Sequence, residues 1–173
     1  MWSLVVSLLA VVPVALAESR KFPFETFQLT SEDIGTFSDI APGTKAPEAK
    51  CRAFPGTSEW PDESTWSRLN VSLGGVLLKP VPAPAVCYPG VYQNEAKCAS
   101  LLSNQVISKD HFNDPLGLST NWPAGNPCPA VEKPTGQCTQ GGFPVYVVNA
   151  TSVKHVQIAV NFARSRNIRL VIK

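Results

Sequence analysis

Histidine is scarce in this chain. His111 and His155 are the only two in 173 residues, and they lie far apart in sequence. His155 flanks an apolar helical stripe and reads as a surface or boundary residue. His111 sits in Asp110-His-Phe-Asn-Asp114, where it could serve as a base or ligand, but the turn formers around it fit a solvated turn better. No nucleophile-elbow pattern occurs, although a Ser-His-Asp set can be assembled from distant residues. There is no G-x-G-x-x-G and no P-loop, since Gly74-Gly75 and Gly141-Gly142 lack the spacing and context. Close C-x-x-C pairs are missing too, which excludes a zinc knuckle and leaves no metal to expect. The net charge is only +2, without the concentrated basic face of a dedicated nucleic-acid binder. No internal repeat is present. No catalytic, cofactor-binding or metal-ligating residue can therefore be assigned from the residues alone.

Long apolar runs are equally rare. Trp2 to Ala17 carries no charge and closes with Ala15-Leu16-Ala17 before Glu18. Small residues at the first and third of those positions fit signal-peptidase cleavage after Ala17. The run is short of the ~20 apolar residues a membrane span needs, so a secreted protein with no stable membrane span is expected. Two N-x-S/T acceptor sequences, Asn70-Val-Ser72 and Asn149-Ala-Thr151, are candidate glycosylation sites in that compartment. Five cysteines fit it as well. Cys87 with Cys98 and Cys128 with Cys138 are the short-loop candidates for disulfides, leaving Cys51 unpaired or paired differently, and sequence alone does not settle the connectivity.

What the chain has in abundance is proline, 16 residues, which breaks up helix and sheet. The organisation read from it is a signal peptide over 1–17, then a variable, poorly ordered extension over 18–50. A Cys/Pro-rich leader with short helices follows over 51–140, and a βαβ unit closes the chain over 141–173. In the leader, Glu63 to Leu73 predicts a helix with Trp66, Leu69 and Leu73 on one side, ended by Gly74-Gly75. Val76 to Leu78 can be extended, and Glu95 to Asn104 is a second short helix.

The closing unit carries the clearest local signals. Pro144-Val-Tyr-Val-Val-Asn149 is a β-branched and aromatic run suited to a buried strand. Thr151 or Ser152 can cap a helix, in which Val153, Val156, Ala159, Val160 and Ala163 form an apolar stripe. Arg164 and Arg166 meet the negative end of that helix, and Asn167 is a plausible left-handed residue past it. Ile168 to Ile172 returns as a strand, expected to lie parallel to the first. Arg164, Arg166, Arg169 and Lys173 could touch a phosphate, although a helix end and a solvated edge account for them more simply. Two strands and a helix leave both sheet edges unpaired, so the unit is not a domain alone.

Two blocks of residues carry a family resemblance. The first is Cys51-Arg-Ala-Phe-Pro-Gly56, Trp60-Pro61, Trp66-Ser-Arg-Leu-Asn70, Leu73-Gly-Gly75 and the proline run into Cys87-Tyr88. The second is Gly142-Phe-Pro-Val-Tyr-Val-Val-Asn149, Val160-Asn-Phe-Ala163 and Ile168-Arg-Leu-Val-Ile-Lys173. Together, in this order, they resemble the start of secreted fungal FAD-linked oxidoreductases, the berberine-bridge-enzyme-like branch of the vanillyl-alcohol-oxidase flavoproteins. The resemblance implies an α/β (α+β overall) chain whose closing unit is the first part of an incomplete PCMH-type FAD-binding domain. It also implies, for the longer relatives, oxidation of a small molecule, such as a secondary metabolite or alkaloid, with FAD and dioxygen. The family's Gly-His-Asp loop would follow the second strand, so the expectation is a truncated oxidoreductase that alone binds no flavin and is inactive. The alternative is a small secreted disulfide-stabilised binding protein without catalysis.

Overall fold

The computed structural model describes residues 22–49, 51–103, 114–117 and 125–172. The expected signal segment, His111 and Lys173 lie outside these residues. In chain order the elements are helices α1 (Ser31–Ile34) and α2 (Glu63–Ser72), strand β1 (Leu77–Leu78), helix α3 (Glu95–Ser103), strand β2 (Val147–Val148) and helix α4 (Val153–Ser165). Three 3-10 turns, Pro23–Thr26, Ser38–Ile40 and Ala83–Cys87, lie between and before them.

Each longer helix starts where its capping residue dictates. The Asp62 side chain accepts from the Thr65 amide at 2.8 Å and opens α2. Ser152 accepts from the His155 amide at 3.2 Å and opens α4. At the far end of α2 the chain reverses through Gly74 and Gly75, with φ of 67° and 88°, a conformation that costs glycine nothing. That reversal delivers Leu77 and Leu78 to pair antiparallel with Val148 and Val147.

The core lies between α2, α4 and residues 29–40. Trp66, Leu69 and Leu73 face Ile158 and Phe162 of α4, with Leu29, Phe37 and Ile40 closing the third side. Ile40 is fully buried and Leu69 is 2% exposed; side chains of this kind each contribute about 1.5–3 kcal/mol on burial. Trp66 stacks on Tyr146 with ring centroids 4.0 Å apart and meets Phe162 edge-on at 5.1 Å. The low periodicity of the 18–50 stretch did not announce this packing, because a one-turn helix and short 3-10 turns present buried residues at irregular intervals.

Two further features differ from the sequence expectation. The run after α4 does not pair with β2 among the described residues. Ile168 instead forms a parallel bridge to Ala53, and β2 takes its partner from the chain after α2. Of the apolar stripe expected on α4, Ala163 is buried and Ala159 half-buried, but the three valines are not. Ile158, Phe162, Ala163 and Ser165 are buried, whereas Val153, Val156 and Val160 are exposed. Both sets satisfy helical spacing, and the aromatic Phe162 offers the larger area to Trp66 and Phe37, so that side turns inward.

A smaller lobe is held by disulfides. Cys87–Cys98 ties the Ala83–Cys87 turn to α3, and Cys128–Cys138 closes a second loop. Buried Tyr88 joins the two by donating its hydroxyl to the Pro129 carbonyl at 2.9 Å. Cys51 is free and exposed. Among the described residues no helix is long and apolar enough to cross a membrane, and no group of three or more His, Cys, Asp or Glu side chains is placed to hold a metal ion.

Candidate functional site

The C-terminal end of α4 gathers polar contacts to two distant parts of the chain. Asn167 adopts φ of 53°, the left-handed conformation that asparagine tolerates and most residues avoid. From there its side chain reaches the leader. Its Nδ2 donates to the Cys51 carbonyl at 2.7 Å, and its Oδ1 accepts from Arg52 Nη1 at 2.8 Å. The Ala53 amide donates to the Asn167 carbonyl at 3.0 Å. One residue thus pins three consecutive leader residues to the helix end. Ser165 adds a bond to the Asp39 carbonyl at 2.7 Å, and Arg166 an ion pair to the Asp39 carboxylate at 2.6 Å.

The four-residue cation cluster considered in the sequence is divided by this arrangement. Arg166 is committed to Asp39. Arg164 donates to Asn161 Oδ1 at 3.0 Å along its own helix, while Arg169 lies exposed beyond it. Arg52, which the sequence reading did not single out, joins Arg164 and Arg169 beside a groove of about 310 Å³ floored by Val160, Ala163, Ile168 and Leu170. It stands 115 residues from Asn167 in sequence, so no local signal could have placed it there. A second groove of about 240 Å³, lined by Leu29, Pro42, Val156 and Asn161 among others, shares Val160 with the first.

Val160 thus borders both hollows and Val156 the second, and the apolar surface continues into Leu170, Val171 and Ile172, the last of them 80% exposed. Both grooves are open to solvent. A cofactor such as FAD needs a pocket that buries most of its surface, and the residues lining these grooves do not provide one. No glycine-rich cradle among them faces a pyrophosphate. The site is thus an open apolar face with a cationic margin.

Other candidates fall elsewhere. His155 Nδ1 accepts from the Thr151 amide at 3.2 Å, a turn contact at the start of α4. Glu63, Lys79 and Tyr146 form a cluster in which Lys79 donates to Glu63 at 2.7 Å and the Tyr146 hydroxyl to Glu63 at 3.2 Å. The Lys79 hydrogen bond holds Glu63 below its ordinary range, and burial pushes the Tyr146 hydroxyl up. Spanning α2, the end of β1 and the start of β2, this cluster fastens the small sheet to the helix. Asn70 lies half-buried within α2, and Asn149 is exposed between β2 and α4.

No protein-family model matches the chain. It is 37% identical over 127 residues to a VAO-type flavoprotein oxidase of Thermothelomyces thermophilus, covering 71% of this chain and 22% of that protein. It is 35% identical over 128 residues to a bifunctional decalin synthase of Penicillium decumbens, covering 72% of this chain and 22% of that one. Among solved structures, a VAO-type flavoprotein of Myceliophthora thermophila superposes with a TM-score of 0.66 at 36% identity, over 71% of this chain and 23% of the other. A second flavoprotein from that fungus gives 0.64 at 35% identity, over 70% and 22%. Both the sequence and the fold therefore place its homologues among fungal VAO-type, FAD-linked oxidoreductases. The chain spans about a fifth of the length of these relatives.

Proposed function

We propose, from the premise that this chain belongs with the fungal VAO-type FAD-linked oxidoreductases, that it is the opening structural segment of such a flavoprotein. Its role is to present a packed wall to the remaining polypeptide. The observation that carries this reading is α4, whose Ile158 and Phe162 side is buried while its Val153, Val156 and Val160 side is left open. A helix apolar on two sides belongs between two layers. Among the described residues only one of those layers is formed.

In the complete flavoprotein, FAD would supply the redox chemistry by which a small-molecule substrate is oxidised, and it would be held by polypeptide beyond the described residues. The parts assigned here to this chain are structural. Asn167 fixes the direction in which residues 168–172 leave α4, and Trp66 with Phe162 sets the height of that helix over α2. The secondary-metabolite setting and passage through the secretory pathway, with cleavage after Ala17, belong to the same proposal.

Residues 1–173 purified alone are expected to show no stoichiometric flavin absorbance, with or without added FAD; a yellow protein with one flavin per chain would overturn this reading. The disulfide lobe and the well-filled core favour a second reading, a self-contained secreted binding protein. That reading requires the valine face to stay solvent-exposed in the functional protein.

A further inference from the structure

The two acceptor sequences, one ending in Ser72 and the other in Thr151, both fit the pattern but differ sharply in structure. Asn149, Ala150 and Thr151 are all exposed and form the short link between β2 and α4. The Asn149 amide donates to the Val76 carbonyl at 3.0 Å, which anchors the backbone while its side chain makes no hydrogen bond to any described residue. Thr151 Oγ1 lies 3.4 Å from His155 Nδ1 in the first turn of α4. Asn70, in contrast, lies inside α2 and is half-buried. Its Oδ1 accepts from the Leu77 amide at 3.1 Å, and its carbonyl accepts from Gly75 at 2.9 Å. It is therefore built into the reversal that delivers β1.

We infer that Asn149 is the glycosylated asparagine of this chain and that Asn70 is kept for folding. The inference rests on the secretory passage proposed above. The sugar donor is a lipid-pyrophosphate-linked oligosaccharide. Asn149 Nδ2 forms the bond to the sugar C1, the C1–O bond to pyrophosphate breaks, and the lipid pyrophosphate leaves. One amide proton goes to a base of the transferring enzyme. A bulky solvated group at this link keeps the rim at the start of α4 in water. Any further polypeptide must then meet α4 along Val156, Val160 and the 169–172 run, away from that rim.

The test is secretion of the full chain from a fungal host, with peptide mass mapping before and after peptide-N-glycosidase. The Asn-to-Asp mass change is expected at Asn149 alone. Asn149→Gln and Thr151→Ala should each abolish the glycan, and Thr151→Ser should retain it. Ser72→Ala, which removes the other acceptor without touching the Asn70–Leu77 bond, should leave the glycan unchanged. A glycan that survives Thr151→Ala, or is lost with Ser72→Ala, overturns the assignment. A secreted chain beginning at Glu18 without any glycan overturns it while leaving secretion intact. A chain that still carries Met1 and no glycan defeats both.

Discussion

At the residue scale, two side chains hold distant parts of the sequence together, and their loss has calculable consequences. Asn167 combines a left-handed backbone with bonds to Cys51 and Arg52. Asn167→Ala forfeits both, which should cost about 2–4 kcal/mol by denaturant titration. Asn167→Gly restores the backbone freedom and should recover about 1 kcal/mol of that loss. Equal losses in the two variants would show that φ plays no part. Asp33 is the second. Lys154 donates to its two oxygens at 2.8 and 3.0 Å, and the Thr30 amide at 2.8 Å. The Lys154 bond, followed by those from Thr30, holds the Asp33 carboxyl at about 2, below its ordinary 3.8. A depressed pKa stabilises the folded state above the ordinary value and ceases to do so as pH falls through the folded one. The difference in thermal midpoint between the parent and Asp33→Asn should be constant above pH 4 and shrink between about pH 4 and pH 2. A difference that stays level across that window would contradict the assignment.

At the element scale, α4 shows both how much the sequence discloses and where its disclosure stops. Its start at Ser152 and the left-handed Asn167 beyond it are legible, because capping and αL preference are local chemistry. So is α2, with its Trp66, Leu69 and Leu73 face. The inward side of α4 is not legible, because Val153, Val156 and Val160 repeat as well as Ile158 and Phe162 do. Only the partners decide between them, and those partners come from residues 29–40 and 66–73. The same non-local choice explains why Val147 and Val148 pair with Leu78 and Leu77 and not with the run after α4. Arg52 was illegible for the same reason, since its place beside the groove depends on Asn167. The two sides of α4 should respond differently. Phe162→Ala should destabilise the chain by about 3–5 kcal/mol, whereas Val160→Ala should change it by no more than about 0.5 kcal/mol. Comparable losses from both, measured by urea unfolding, would show that the valine side is already packed in this chain.

At the scale of the whole molecule, a formed core and an unformed surface coexist. Residues 29–40, α2 and α4 bury a contiguous aromatic and aliphatic cluster, and two disulfides tie a second lobe without relying on that core. Beside them, the valines of α4 and residues 170–172 leave an apolar face of the kind that marks an interaction surface. The family resemblance was readable because Cys51 to Cys87 and Gly142 to Lys173 carry independent patterns in the same order. The sequence match covers about a fifth of each relative, which leaves ample polypeptide to cover the open face in a protein of their length.

The most direct measurement is flavin content in a chimera. The matched 127-residue stretch of the Thermothelomyces thermophilus oxidase would be replaced by its counterpart from this chain, with and without the Val156→Asp and Val160→Asp pair. The account predicts that the first chimera holds flavin and the second loses it, while the same pair leaves the thermal midpoint of the isolated 173-residue chain within a few degrees. Equal flavin content in the two chimeras would contradict it, because the valine face would then have no polypeptide to meet.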